Sequence, residues 1–320
     1  MRNLITLFFF AIIAYSHGFS KINPGPITFP KAEILSDHTT RIPFKLIDNL
    51  IIIEAELLDQ KGNFIIDTGS ETLILNKAHF KANKSFSSKS KETSGVIDII
   101  DNPLEKRLRE FIIKDITIED KYSDVIDLSH IETSKKIHLL GIIGYDILKD
   151  YEVFIDMYLN QITLSRVNSE GKKLDSRPYL EKIIDTVHFK LRKHTIVIEA
   201  SIDDQVLKFG LDTAAEYNQL NKRTSKKVLK YFFPSNRLML IGASGRQIEV
   251  MAGKLYRVKL SDKIYFAPMT TLLTNLNQMN EAFGTSLDGI LGYEFFRQQR
   301  TIINYKKEKL YFVEFPLNKQ

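Results

Sequence analysis

The 320-residue chain has no cysteine. Disulfides, thiolate metal ligands, a cysteine nucleophile and an acylated lipoprotein cysteine are therefore excluded from the start. Glycine and proline are sparse, at 15 and 9 residues, so there is no collagen-like or Gly/Pro-rich low-complexity segment. Charge of one sign is also nearly missing: 45 Lys and Arg against 39 Asp and Glu leave +6. That excess is spread along the chain, without the clustered basic residues and interleaved aromatics of a phosphate-tracking face. It reads as a solvated surface, and no nucleic-acid partner is expected. The seven histidines form no His-Glu-x-x-His pattern and show no metal-ligand spacing, and neither a Gly-Lys-Ser/Thr phosphate loop nor a Gly-x-Ser-x-Gly elbow occurs. No metal and no cofactor are expected; His188 and His194 read as surface or edge positions. What remains, 43% hydrophobic and 26% charged residues, describes a globular chain with a substantial core.

The N-terminus is the one place with a long apolar run. Arg2 precedes 11 residues, Leu4 to Ala14, broken only by Thr6, and the small residues Ser16, Gly18 and Ser20 follow. This is the order of a secretory signal peptide, assigned to residues 1–20, and it is too short for a permanent span. No later segment reaches the roughly 20 apolar residues of a membrane helix. The expectation is an exported product, periplasmic or secreted, with no membrane span once the signal is removed. Ile22 to His38 reads as a pro-segment or an N-terminal strand.

The rest of the chain is written twice. Shifted by 145 positions, Phe44 to Thr68 falls on Phe189 to Thr213 with 12 of 25 residues identical, including Phe44-Lys45-Leu46 with Phe189-Lys190-Leu191 and Asp67-Thr68 with Asp212-Thr213. At a shift of 148, Gly144-Tyr145-Asp146 falls on Gly292-Tyr293-Glu294. Both copies are β-rich: Leu50 to Leu57 and Thr195 to Ile202 read as strands, each followed by a turn and a second apolar strand ending at the Asp. Val153 to Leu164 and Thr301 to Phe312 read as hairpins, Phe111 to Ile118 and Leu255 to Leu260 as shorter strands, and Asn275 to Phe283 as a helix stopped by Gly284. The division is an N-terminal lobe over 21–164, a linker over 165–185 and a C-terminal lobe over 186–320. Ala82 to Ser94 reads as a polar mobile loop.

The chemistry sits at the duplicated turns. Asp67-Thr68-Gly69-Ser70 and Asp212-Thr213-Ala214-Ala215 each place a carboxylate at the end of an apolar strand. One such Asp is as readily a turn cap as a functional group. A symmetric pair is different, because a duplicated fold can bring both to one axis. Carboxylates within about 3 Å cannot both ionise and hold one proton between them, which equips them for general acid and base work on one carbonyl.

These motifs, with Ile142-Ile143-Gly144 and Ile290-Leu291-Gly292, resemble the aspartic peptidases, and among them the bacterial retropepsin-like proteins with two fused lobes. The resemblance covers about Phe44 to Phe315. It implies an all-β, duplicated acid-protease fold of two β-barrel lobes with a few short helices. It also implies an aspartic-type endopeptidase, a monomer acting on peptide or protein substrates through water activated by Asp67 and Asp212, with no cofactor. Thr68 and Thr213 would grip the opposite turn, Gly69 and Ser70 with Ala214 and Ala215 would complete the turns, and Ser70 would bond the outer oxygen of Asp67. Ile142, Ile143, Gly144, Ile290, Leu291 and Gly292 would pack beside the dyad, and Gly242-Ala243-Ser244-Gly245 is the clearer flap candidate, Thr93-Ser94-Gly95-Val96 the weaker. Ala214 departs from the family's glycine and would be strained at positive φ. It leaves open a non-catalytic reading, in which the same cleft binds a peptide or protein partner.

Overall fold

The computed structural model describes residues 5–6, 12–13, 28–80, 87–88, 93–94, 99–100, 104–114, 116–175, 181–241 and 247–316. Strands account for 55% and helices for 9%, so the chain is all-β.

The β-branched run Ile51-Ile52-Ile53 forms the centre of the strand Leu50–Leu57 and is fully buried, as residues that pack well on a pleated surface should be. Two-residue turns join it to its neighbours. Asp48 and Asn49 have φ of 46° and 71°, and Leu58 and Asp59 of 50° and 61°, the left-handed pairs that match the twist of a tight hairpin. The next strand, Gln60–Ile66, runs from an exposed start to a buried end. Thr195–Ile202 and Gln205–Leu211 repeat this hairpin in the second half.

One sheet runs, side by side, through Lys45–Ile47, Leu50–Leu57, Gln60–Ile66, Leu139–Ile143, Leu73–Asn76, Ile116–Ile126, Leu104–Ile113 and Ser87–Ser88. The other runs through Lys190–Arg192, Thr195–Ile202, Gln205–Leu211, Gly289–Leu291, Asn218–Asn221, Met269–Thr274, Gln247–Leu255 and Phe232–Ile241. The two orders correspond strand for strand. In each, a strand carrying the Ile-x-Gly element lies parallel to the strand that ends at the Asp. Ile12–Ile13 adds to the outer edge of Phe232–Ile241.

A third sheet is shared by both halves. Its order is Ile183–His188, Lys309–Val313, Arg300–Asn304, Tyr151–Asp156, Gln161–Arg166, Thr39–Pro43 and Glu33–Ser36. The central pair, Tyr151–Asp156 against Arg300–Asn304, is antiparallel and joins one half to the other. Around it a single apolar cluster includes Phe64 and Phe111 from the first half with Phe209, Phe295 and Phe312 from the second.

Several predicted elements differ in detail. Phe111 to Ile118 is a hairpin bend: Ile113 pairs with Ile116 and Lys114 has φ 56°, so one apolar pattern runs through two arms. Leu255 to Leu260 is interrupted at Arg257, φ 59°, between Gln247–Leu255 and Val258–Lys259. The helix Asn277–Phe283 ends on Gly284 in the left-handed conformation, as its sequence predicts. Within 165–185, Ser165 and Arg166 close a strand, Gly171 accepts a hydrogen bond from Asn304 Nδ2 at 2.9 Å, and Ile183–His188 is already sheet. Most of Ala82 to Ser94 and of residues 1–20 lies outside the described residues.

Candidate active site

The duplicated topology brings Asp67 and Asp212 to equivalent places. The N–H of Asp67 donates to the carbonyl of Ile143 and that of Asp212 to the carbonyl of Leu291, both at 3.0 Å. Gly144 and Gly292 then pass against the turns: a Cβ at Gly144 would stand 2.4 Å from the Thr72 carbonyl oxygen, and one at Gly292 2.2 Å from that of Ala215. The Tyr145 N–H donates to Ser70 O at 2.8 Å and the Tyr293 N–H to Ala215 O at 2.9 Å. Ile142 packs in a cluster with Ala214, and Ile290 in one with Ala215. All six residues of the two hydrophobic-hydrophobic-glycine elements therefore lie beside the two Asp turns.

The threonines reach across. Thr68 N–H donates to Thr213 Oγ1 at 3.0 Å, and Thr213 N–H to Thr68 Oγ1 at 3.1 Å. Each hydroxyl in turn donates to a strand carbonyl of the other half, Thr68 Oγ1 to Leu211 O at 3.3 Å and Thr213 Oγ1 to Ile66 O at 2.8 Å. This reciprocal set of four buried hydrogen bonds fixes the relative position of the two turns.

Both carboxyl groups are fully buried and lie within hydrogen-bonding reach of one another. Oδ1 of Asp67 accepts the Gly69 and Ser70 N–H groups at 2.8 and 3.0 Å, and Oδ1 of Asp212 accepts the Ala214 N–H at 2.8 Å. Oδ2 of each accepts no N–H or O–H from the other described residues outside the pair. Burial pushes Asp67 up to about 7, opposed by the Asp212 hydrogen bond and the two amides; burial and then the Asp67 charge push Asp212 well above the usual carboxylate range. Both carboxyls are thus pushed up and titrate as a pair that holds one proton between them.

Two turn residues differ from expectation. The Ser70 hydroxyl donates to the Thr72 carbonyl at 3.3 Å, so only the backbone of Ser70 serves Asp67, because the chain turns its side chain along the loop. Ala214 is absent from the left-handed residues. Its backbone is unstrained, its amide serves Asp212, and its methyl group is buried in an apolar cluster with Leu50, Ile52 and Ile142 of the first half.

Each turn is also backed by the opposite half. Asn49 Nδ2 donates to Glu216 O at 3.1 Å, and Glu216 is ion-paired at 2.6 Å with Lys135, whose ammonium also meets Asp48 at 3.1 Å. Lys135 is the last residue of the helix Ser129–Lys135. At the position equivalent to Asn49 stands His194. It is not a surface residue: it is 1% exposed, bonded to the Gly69 backbone, and 3.8 Å from Glu71. Burial lowers it to about 3, so the ring is neutral. His188, by contrast, is exposed.

Gly242, Ala243, Ser244 and Gly245 lie outside the described residues; the strands on either side of them in sequence, Phe232–Ile241 and Gln247–Leu255, pair antiparallel as far as Ile241 with Gln247. Of the weaker flap candidate, Thr93–Ser94 pairs with Ile99–Ile100, and Gly95 and Val96 lie outside the described residues. A cavity of about 590 Å³ opens on the second half between Phe189, Glu199, Lys208 and Leu287. Sequence reasoning missed Lys135, Glu216, His194, and Gly141 with its counterpart Gly289. The repeated Gly-Ile-Ile/Leu-Gly spacing could have found the glycines. It also missed a convergence of His79, Glu132 and His138, whose separations along the chain follow no ligand spacing.

No protein-family model matches the chain, and no curated protein matches it.

Proposed function

We propose that the chain is an exported aspartic-type endopeptidase with the two-lobe acid-protease fold, hydrolysing extended peptides by a water activated between Asp67 and Asp212. The reading rests on the pair of buried carboxyls at equivalent strand ends, tied by the Thr68–Thr213 hydrogen bonds. The ionised member of the pair takes a proton from the water as its oxygen attacks the scissile carbonyl carbon, and the protonated member gives its proton to the carbonyl oxygen. The tetrahedral intermediate then breaks its C–N bond as the carboxyl that took the water's proton passes it to the departing nitrogen, while the other carboxylate takes a proton back from a hydroxyl of the intermediate, which leaves the new carboxyl product and restores the pair. The step requires neither a metal nor a covalent intermediate.

The hairpin edges give independent support. Ile12–Ile13 pairs with Leu240–Ile241, and Ile5–Thr6 with Thr93–Ser94, so the strand leading into each flap candidate has backbone groups that accept an added strand. After removal of the signal segment those edges are free for an extended peptide.

The non-catalytic alternative no longer draws on Ala214, whose backbone is unstrained. It draws on the full burial of both carboxyls, which suits a cleft that binds without turnover. A mixed peptide library incubated with the purified chain from pH 3 to 8 and read by mass spectrometry separates the two. Cleavage is expected, falling as alkaline pH strips the remaining proton from the pair, inhibited by a statine-type compound and lost in Asp67→Asn and Asp212→Asn with the fold retained. Turnover surviving in either variant sinks the dyad assignment, and inhibitor binding without turnover selects the binding module.

A further inference from the structure

At the start of the strand Leu139–Ile143, the end away from Asp67, three segments bring metal-ligating side chains together. His79 lies in the turn after the strand Leu73–Asn76, Glu132 on the helix Ser129–Lys135, and His138 just before the strand Leu139–Ile143. His79 Nε2 stands 3.0 and 2.8 Å from the two Glu132 oxygens, and His138 Nδ1 3.4 Å from Glu132 Oε1. One ligand atom from each residue lies within 4.8 Å of the others. Ligands about 2.0–2.2 Å from a tetrahedral zinc ion stand roughly 3.3–3.6 Å apart, so the His138–Glu132 separation of 3.4 Å already matches, His79 and Glu132 must part slightly from 2.8–3.0 Å, and the two imidazoles, within 4.8 Å of one another, must reach the same spacing.

The carboxylate is already oriented from behind. Buried Asn76 donates through Nδ2 to Glu132 Oε2 at 3.0 Å and to Leu139 O at 2.9 Å, and the Leu139 N–H donates to Glu132 Oε1 at 3.3 Å. Such outer hydrogen bonds hold ligating carboxylates in place in metal sites. His79 and Glu132 are 21% exposed and His138 57%, which gives an ion a path in and leaves room for solvent as a further ligand. Two imidazoles and one carboxylate suit a borderline-soft transition metal better than the all-oxygen preference of calcium or magnesium.

We propose that His79, Glu132 and His138 form a binding site for one divalent transition-metal ion, zinc by preference. Bound there, the ion clamps the turn at His79, the helix Ser129–Lys135 and the start of the strand Leu139–Ile143. Glu132 and both histidines are remote from the dyad in chemistry, and the proposal stands or falls without the peptidase reading.

The purified chain, carrying no histidine tag, is titrated with Zn²⁺ by calorimetry, with Mg²⁺ and Ca²⁺ as controls, and its thermal unfolding is followed with and without EDTA. Co²⁺ substitution supplies a visible spectrum of the coordination. One equivalent of Zn²⁺ is expected, with a rise in Tm that EDTA reverses, a cobalt spectrum of low coordination number, and affinity at least about tenfold weaker in His138→Ala and His79→Gln. Failure of the parent to bind zinc saturably, or equal affinity in parent and His138→Ala, overturns the site. His138 is exposed enough that its removal leaves the fold intact, so this variant decides even if His79→Gln does not fold.

Discussion

Ala214 occupies a position where its counterpart in the first half, Gly69, carries no side chain, and its methyl group fills space among Leu50, Ile52 and Ile142. Ala214→Gly should therefore lower stability by about 1–2 kcal/mol, through a lost buried methyl and a freer unfolded chain, while kcat/KM on a peptide stays within a few-fold. A tenfold fall in kcat/KM would mean that the turn depends on the methyl to hold Asp212. His194 carries a second prediction. Because burial keeps it neutral down to about pH 3 while the unfolded chain takes up a proton near its ordinary value of about 6.5, its contribution is present above pH 6.5 and is lost as pH falls from there. The raised Asp67 acts in the opposite sense: its contribution is present below pH 4 and is lost as pH rises to about 7. His194→Asn, which installs the residue found at position 49, should remove only the first of these. Urea midpoints at pH 4 and 7 test it: the variant should gain at pH 4 relative to pH 7, with a slope difference of up to about 1.4 kcal/mol per pH unit. An unchanged pH profile would show that the ring titrates normally.

The strand Gly289–Leu291 and the turn at Ala215 approach so closely that Gly292→Ala would force a methyl group into backbone, 2.2 Å from the Ala215 oxygen. Thermal melting should show a loss of 3 kcal/mol or more, or no cooperative transition. Gly284→Ala, at a helix end with nothing within 4 Å, should cost only about 1 kcal/mol for its positive φ. Equal effects would contradict the geometry. These elements also show how far the sequence could be read. Strand pairs such as Leu50–Leu57 with Gln60–Ile66 carry their own pattern, and the duplicated Asp-Thr and Ile-x-Gly words located both turns. The helix Ser129–Lys135 was not predicted, because a seven-residue helix between strands has too few turns for a periodicity. Lys135 with Glu216, or His79 with Glu132, meet across dozens of residues and leave no local trace. His194 differs from its sequence reading for a related reason, since its burial depends on the opposite half of the chain, whereas Ser70 differs through a local choice, its hydroxyl bonding Thr72 O two residues on.

Both halves are fastened along the central strand pair, and Arg300 anchors one end of it. Only 2% exposed, its side chain donates through Nε and Nη2 to Asp156 Oδ2 at 3.0 and 2.7 Å, through Nη1 and Nη2 to Glu181 at 2.8 and 2.9 Å, and to the Glu314 carbonyl at 2.6 Å. Arg300→Met leaves Asp156 charged and buried, and should cost about 3–5 kcal/mol in urea unfolding. Adding Asp156→Leu should restore much of that loss; two simply additive losses would refute the pairing. The shared sheet has one more implication, for ancestry. Antiparallel pairing of Tyr151–Asp156 with its own repeat is self-complementary, the contact that two identical half-length chains would make across a two-fold axis. In such a pair both ends of the seam must be the same. Here one end holds Asp156 with Arg300, and the other holds Glu152 with Asn304 at 2.9 Å, so covalent fusion of the copies freed the two ends of the seam to evolve separately.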